Sequence, residues 1–379
     1  MSIVLNATPG SYYSAHDSLV FTPYEATKAT DNQTYPDYKY VLDLYIDGTL
    51  QVRLKAFPQP DNFRGVFDIS RIVRNFLGLT FNPTLGQVRA QQFGAGKYYI
   101  DVTCKFGEDY NFTTYTNVLI DSVRRYYNHY NGRQVGTLTT LATYINKPLS
   151  NGPNTRYVEF ADTAVFLPYL PSTSADVTLT ANASTYTWTP AADTAELLNV
   201  SPTAINAQFP GLITAATTSY TITIGGRTIT YNLTCNGKYT NKWIHFLNKL
   251  GCYESFPFAL VSKRSFEVDK KSIGQLPYTI GSDGSVNYRT GQAYNELTKV
   301  YSSQFGEKQV LNTDLLTDAE YQWLSELVFS PEVYIQESGY FIPVTITASN
   351  YEEKQYIVDG QTNLELTVEY GRKFNTQYR

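Results

Sequence analysis

The chain has 379 residues, with 30 Lys and Arg against 34 Asp and Glu and a formal net charge of −4. That length holds about two to four domains, and the lack of a basic excess argues against nucleic acid as the main partner, because phosphate binding needs clustered Lys and Arg. Charged residues are only 17% of the chain while Tyr alone numbers 33, a composition that suits half-buried strands and protein contacts better than a heavily solvated enzyme surface.

Three Cys, at 104, 235 and 252, are odd in number and too widely spaced for a disulfide framework or a zinc site. They read as buried free thiols, with a Cys235–Cys252 bridge as the alternative. The N-terminus has no basic segment followed by an apolar run, so no signal peptide is expected. No stretch is apolar for long enough to cross a bilayer. Folding in a cytoplasm and no membrane association are therefore the expectations.

Residues 1–120 read as an N-terminal β-sandwich with one short helix. Along 38–46, Tyr38, Tyr40, Leu42, Leu44 and Ile46 share one face by the two-residue period of a strand. Asp47-Gly48 suits the positive φ angles of a hairpin turn, and Leu50, Val52 and Leu54 give the return strand its face. A helix is expected over 68–77, capped by Asp68, with Ile69, Ile72, Val73, Phe76 and Leu77 as its apolar stripe and Gly78 as its stop. Strands over 97–106 and 115–120 close the sandwich.

Residues 121–171 read as a connector. The run from Val123 to Tyr130 is too aromatic for a free linker, Leu149-Ser150-Asn151-Gly152-Pro153 is strong turn chemistry, and His129 stands alone among Tyr and Asn as a surface or hydrogen-bonded residue rather than a catalyst. Residues 172–260 read as a second, immunoglobulin-like β domain with short strands over 177–180 and 185–188. Its best signal is Gly225-Gly226 between two alternating strands, a hairpin signature. Residues 191–215, low in charge and rich in Ala, Thr and Asn, are expected to be an exposed mobile elaboration or an interface loop. The domain ends in the aromatic strand–turn–strand 238–258, expected to join it to the C-terminal domain. There His245 has no second His or carboxylate at ligand spacing.

Residues 261–379 read as a C-terminal α+β or β-barrel-like domain. Lys263, Arg264, Lys270 and Lys271 form a modest basic run. It is either a solvated strand edge, where Lys discourages unwanted pairing, or a surface that meets an acidic neighbour. Residues 281–291 read as a Gly- and Ser-rich loop. The helix 317–329 is the best signalled of the two expected: Thr317 and Glu320 have capping-box spacing, and Ala319, Trp323, Leu324, Leu327 and Val328 make its stripe. The tail 371–379 reads as a polar arm that orders on assembly. The fold class is thus mainly β, several β-sandwich domains with two short helices.

No catalytic signature is present: no G-x-S-x-G elbow, P-loop, H-E-x-x-H or C-x-x-C occurs. No catalytic, cofactor-binding or metal-ligating residue is assigned, and no cofactor is expected. Asp314, Asp318 and Glu320 cluster where a helix start favours negative charge. The Tyr-rich strands raise carbohydrate or receptor binding, but cross-strand packing and subunit contacts are the stronger reading.

From Cys235 the runs C-N-G-K-Y-T and W-I-H-F-L-N-K-L-G-C-Y-E-S-F-P-F resemble structural tail proteins of phages that infect Bacteroidetes, the crAss-like phages among them. So do N-T-D-L-L-T-D-A-E-Y-Q-W-L-S-E-L-V-F-S-P-E-V-Y-I, I-P-V-T-I-T, Y-E-E-K and N-L-E-L-T-V-E-Y-G-R-K-F-N. The resemblance covers the chain from about residue 121 and is weakest over 172–215. It implies a non-enzymatic virion protein, a ring, collar or hub component of a short tail assembled in the host bacterial cytoplasm. Its partners would be further copies in a closed six- or twelve-fold ring, together with portal, fibre or other tail proteins. Closed rings need head-to-tail interfaces. The alternative function is a receptor- or carbohydrate-binding adhesin.

Overall fold

The computed structural model describes residues 3–31, 33–130, 140–171, 176–234, 239–290, 292–347 and 361–378. It is mainly β, with three helices among those residues. The chain divides into two compact units, Met1–Asn236 with His245–Phe256, and Gly237–Ile244 with Pro257–Arg379.

In the first unit the strand Lys39–Ile46 pairs antiparallel with Thr49–Ala56 on one side and with Tyr99–Tyr110 on the other. Asp47 and Gly48 take φ of 46° and 78°, the left-handed pair that a tight hairpin requires. The expected apolar face is buried from Tyr38 to Ile46, but Val41 and Asp43 on the other face are buried too. Asp43 is tolerated there because Arg53 donates to both of its oxygens at 2.6 and 2.9 Å, and a buried carboxylate needs such a partner. On the return strand Leu50 is exposed, because the register slips between Leu44 and Tyr45. A second sheet, Val4–Ala7, Val20–Tyr24 and Phe67–Asp68, shares a core with the first through Phe21, Leu42, Phe67, Ile100 and Phe106. The result is a sandwich.

Helix α1 spans Ser70–Arg74, shorter than the expected 68–77. Asp68 does not occupy the cap position, which is Ile69. Its Oδ1 instead accepts from the backbone N–H of Leu19 and of Ser70, tying the helix start to the neighbouring strand. Ile69 and Val73 are buried while Phe76 is exposed, since one turn and a half presents too few positions to carry a five-residue stripe.

The expected boundaries at 120/121 and 171/172 are crossed by sheet pairing. Arg124–Tyr127 pairs with Tyr99–Val102 of the first sandwich, and Arg89–Phe93 pairs with Ala195–Asn199, which also pairs with Phe166–Tyr169. A five-stranded sheet then runs in the order Thr155–Glu159, Arg227–Thr234, Ser219–Ile224, Val177–Ala181, Ser184–Trp188. Its first pair is parallel, and Gly225 and Gly226, at φ of 52° and 79°, close its central hairpin. Residues 191–215 are not an exposed elaboration. Every residue of Ala195–Asn199 is buried, and helix α2 comes next at Pro202–Gln208, where the Ser201 side chain accepts from the N–H of Ala204. Pro at the first helical position and Ser before it are sufficient local reasons for that helix.

In the second unit five strands lie in the order Val333–Glu337, Tyr340–Ile346, Glu365–Tyr378, Thr298–Asn312, Lys263–Gly274. The order is open, with Lys263–Gly274 at its edge. Helix α3, Asp318–Val328, has the expected capping box: Thr317 Oγ1 accepts from the N–H of Glu320, and the Glu320 carboxylate accepts from the N–H of Thr317. Its buried face is Tyr321, Trp323, Leu324, Glu326 and Leu327; Ala319 is exposed. The C-terminal tail is not an arm awaiting assembly. Its backbone is the end of the Glu365–Tyr378 strand, paired with the strand Thr298–Asn312 as far as Tyr378.

Candidate interaction surface

The segment 238–258 forms two strands, Lys242–Leu247 and Tyr253–Phe258, and the chain changes unit within each of them. Between them Asn248 and Gly251 make a closed turn, the Asn248 N–H donating to the Cys252 carbonyl at 2.8 Å and the Gly251 N–H to the Asn248 carbonyl at 3.0 Å. Cys104 and Cys252 are buried free thiols; Cys235 lies outside the described residues. Burial pushes the Cys252 thiol up to about 12, so it is no nucleophile at neutral pH.

Two groups in this segment invite a catalytic reading. His245 Nδ1 lies 2.7 Å from Ser255 Oγ, and the same hydroxyl accepts from the backbone N–H of Phe166 at 2.8 Å. The imidazole packs against the rings of Phe81 and Phe166. A Ser–His pair is the core of a hydrolase site, but both of these side chains are buried, so no substrate atom reaches the hydroxyl. Desolvation holds His245 down to about 3, neutral throughout the physiological range. The pair is a polar link inside the core. His129 is also buried, while His16 is exposed, its Nε2 2.9 Å from Asn128 Oδ1. Among the described residues no group of three or more His, Cys, Asp and Glu is arranged to hold a metal ion.

The depressed pKa of His245 has a measurable consequence. The unfolded chain takes up the imidazole proton near 6.5, the folded chain only near 3. Stability from this residue is therefore complete above pH 6.5 and falls by about 1.4 kcal/mol for each unit below it. Between pH 7 and pH 5 the expected loss is about 2 kcal/mol. Urea denaturation of His245→Asn at both pH values should show a flatter dependence than the native chain, and equal slopes would contradict a buried neutral imidazole.

The second group is ionic. Arg156 Nη2 donates to Glu254 Oε1 at 3.2 Å and to Ser150 Oγ at 2.6 Å. Asn248 Nδ2 donates to Glu254 Oε2 and to the Leu149 carbonyl, both at 2.8 Å. Arg227 donates to the carbonyls of Ser150 and Gly152 and to Asn154 Oδ1. The turn at 149–153, read from its Gly and Pro, is thus held by two guanidinium groups and one buried carboxylate. This is a clamp on a loop, built from protein-to-protein bonds of Arg156, Arg227, Asn248 and Glu254.

One surface open to partners is the long hairpin of the second unit. Lys263–Gly274 is an edge strand of 12 residues, exposed along its whole length and therefore on both faces. It pairs with Thr298–Asn312, and between them lie two short ladders, Thr279–Ile280 with Val286–Asn287 and Arg289–Thr290 with Ala293–Tyr294. The ends are closed by the Gln275 N–H donating to the Leu297 carbonyl at 3.0 Å. Phe266, Phe305 and Phe374 form a ladder across three strands with centroid separations of 5.8 and 5.3 Å. Exposed apolar side chains continue outward: Leu276, Ile280, Tyr288, Tyr294 and Leu297 are 59% to 73% exposed. Apolar exposure on this scale makes the hairpin a candidate interaction surface.

Set beside known proteins, this chain matches no family model, no curated protein and no solved structure.

The basic residues of this edge are legible in the sequence, whereas the apolar arm is not. Phe266 and Val268, two apart, share one face of the strand, and no local pattern tells whether a second layer covers that face. No helix of the described residues is long and apolar enough to cross a membrane.

Proposed function

We propose that the chain is a non-enzymatic structural component of a bacteriophage virion tail, one that assembles into an oligomeric ring or hub around the tail axis and docks neighbouring tail proteins. Its sandwiches are read, within this proposal, as immunoglobulin-like. The observation that carries the reading is the fully exposed edge strand Lys263–Gly274 with its apolar hairpin. A two-stranded ribbon is marginal alone in water, and large apolar side chains are rarely left open in such number unless they serve association. The resemblance of 235–258 and of the C-terminal runs to tail proteins supplies the setting.

Negative-stain electron microscopy and native mass spectrometry of the purified full chain test it. Closed rings of uniform copy number are expected, as is labelling of the tail by a chain-specific antibody on particles. A chain that stays monomeric at every concentration, yet binds host cells or glycans saturably, would instead establish the adhesin reading.

A further inference from the structure

We propose that the hairpin of residues 263–305 in one copy docks head to tail on the acidic flank of the second unit in the next copy, around Asp314, Leu315 and Glu365. The inference rests on the self-assembling reading above and names the two faces that would meet. Three observations support it.

The first is area. Phe266, Leu276, Ile280, Tyr288, Tyr294 and Leu297 are 57% to 73% exposed, which leaves on the order of 800 Å² of side chain open, about the share that one partner contributes to a standard interface. The second is charge. Residues 263–305 hold six Lys and Arg against four Asp and Glu, whereas the rest of the second unit holds seven against twelve. The first unit is nearly balanced, with 17 against 18, so the second unit is where a basic arm finds its complement. Complementary fields of this kind steer association and reject wrong partners. Among the described residues Lys270 and Lys271 form no ion pair within the chain, and neither do Asp314 and Glu365. The third is the make-up of the acceptor. Leu315 is 61% exposed beside Asp314, and Glu365, opposite Asn312 in the sheet register, is exposed too. An apolar centre with an acidic rim thus faces out where the arm presents apolar residues with a basic rim. Arm and acceptor are different surfaces, so the contact is heterologous and closes into a ring when its rotation permits.

A charge exchange on the full chain tests this. One variant carries Lys270→Glu and Lys271→Glu, the other Asp314→Lys and Glu365→Lys, and each is checked for native circular dichroism and thermal unfolding. At a concentration where the native chain forms rings, mass photometry should find each variant monomeric. The equimolar mixture should recover particles of native mass, because every arm then meets a flank of opposite sign. A third variant, Ile280→Ser with Tyr294→Ser, alters only exposed side chains and should raise the half-assembly concentration about tenfold. Rings from either charge variant alone, or a mixture that stays monomeric, would overturn this contact while leaving self-assembly standing. A native chain that forms no rings would remove the self-assembly reading and this contact together.

Discussion

Replacing Glu254 with Ala is expected to cost about 3–5 kcal/mol of folding stability. The carboxylate is fully buried, and it receives Arg156 on one oxygen and Asn248 on the other. Arg156 is itself only 7% exposed. Removing its partner leaves a guanidinium charge in a site from which water is largely excluded, and that desolvation is no longer offset. The turn at 149–153 also loses part of its hold, because Asn248 donates to the Leu149 carbonyl and accepts from the Cys252 N–H. Replacing both ions, Arg156→Met with Glu254→Leu, should recover most of the loss, since a matched apolar pair carries no stranded charge. Urea denaturation of the two proteins separates the cases. A single variant within about 1 kcal/mol of native would mean the pair is solvated in practice.

Gly251→Ala is expected to cost more than about 3 kcal/mol. Two effects coincide at this position. Gly251 sits at φ of +79°, and a Cβ placed there would lie 1.6 Å from the carbonyl oxygen of Asn128. The obstacle is backbone, so it cannot swing aside as a side chain would. It is also held in place: the Asn128 N–H donates to the Tyr98 carbonyl, the Tyr130 N–H to the Lys249 carbonyl, and Tyr98 Oη donates to the Leu250 carbonyl. Gly226 provides the control. Its φ is the same, +79°, but nothing lies within 4 Å of its would-be Cβ, so Gly226→Ala should cost only the conformational part, about 1 kcal/mol. Thermal unfolding of the two variants side by side gives the clash as a difference. Equal losses would show that the 128–130 backbone yields.

Much of the chain was legible where a few neighbouring residues settle the matter. Asp47-Gly48 and Gly225-Gly226 make hairpins because their left-handed φ angles are local requirements. Thr317 and Glu320 cap α3 because three residues' separation puts each side chain at the other's backbone. α2 carried the same kind of signal in Ser201-Pro202, but seven residues without a charge did not stand out from the Ala- and Thr-rich run around them. The basic edge at 263–271 was legible as charge.

What needed the folded chain were the pairings between distant residues and the question of which apolar faces are covered. Arg156 and Glu254 are 98 positions apart, and no local pattern couples them. Arg89–Phe93 joins Ala195–Asn199 across the boundaries that composition suggested, because strand pairing is satisfied by any free edge at the right spacing. The hairpin of 263–305 has the alternation of a buried strand and yet lies open. Composition and short-range stereochemistry fix turns, caps and strand character, since those energies act over a few bonds. Register, sheet membership and exposure depend on which surfaces the rest of the chain leaves uncovered, and only the assembled layers decide that.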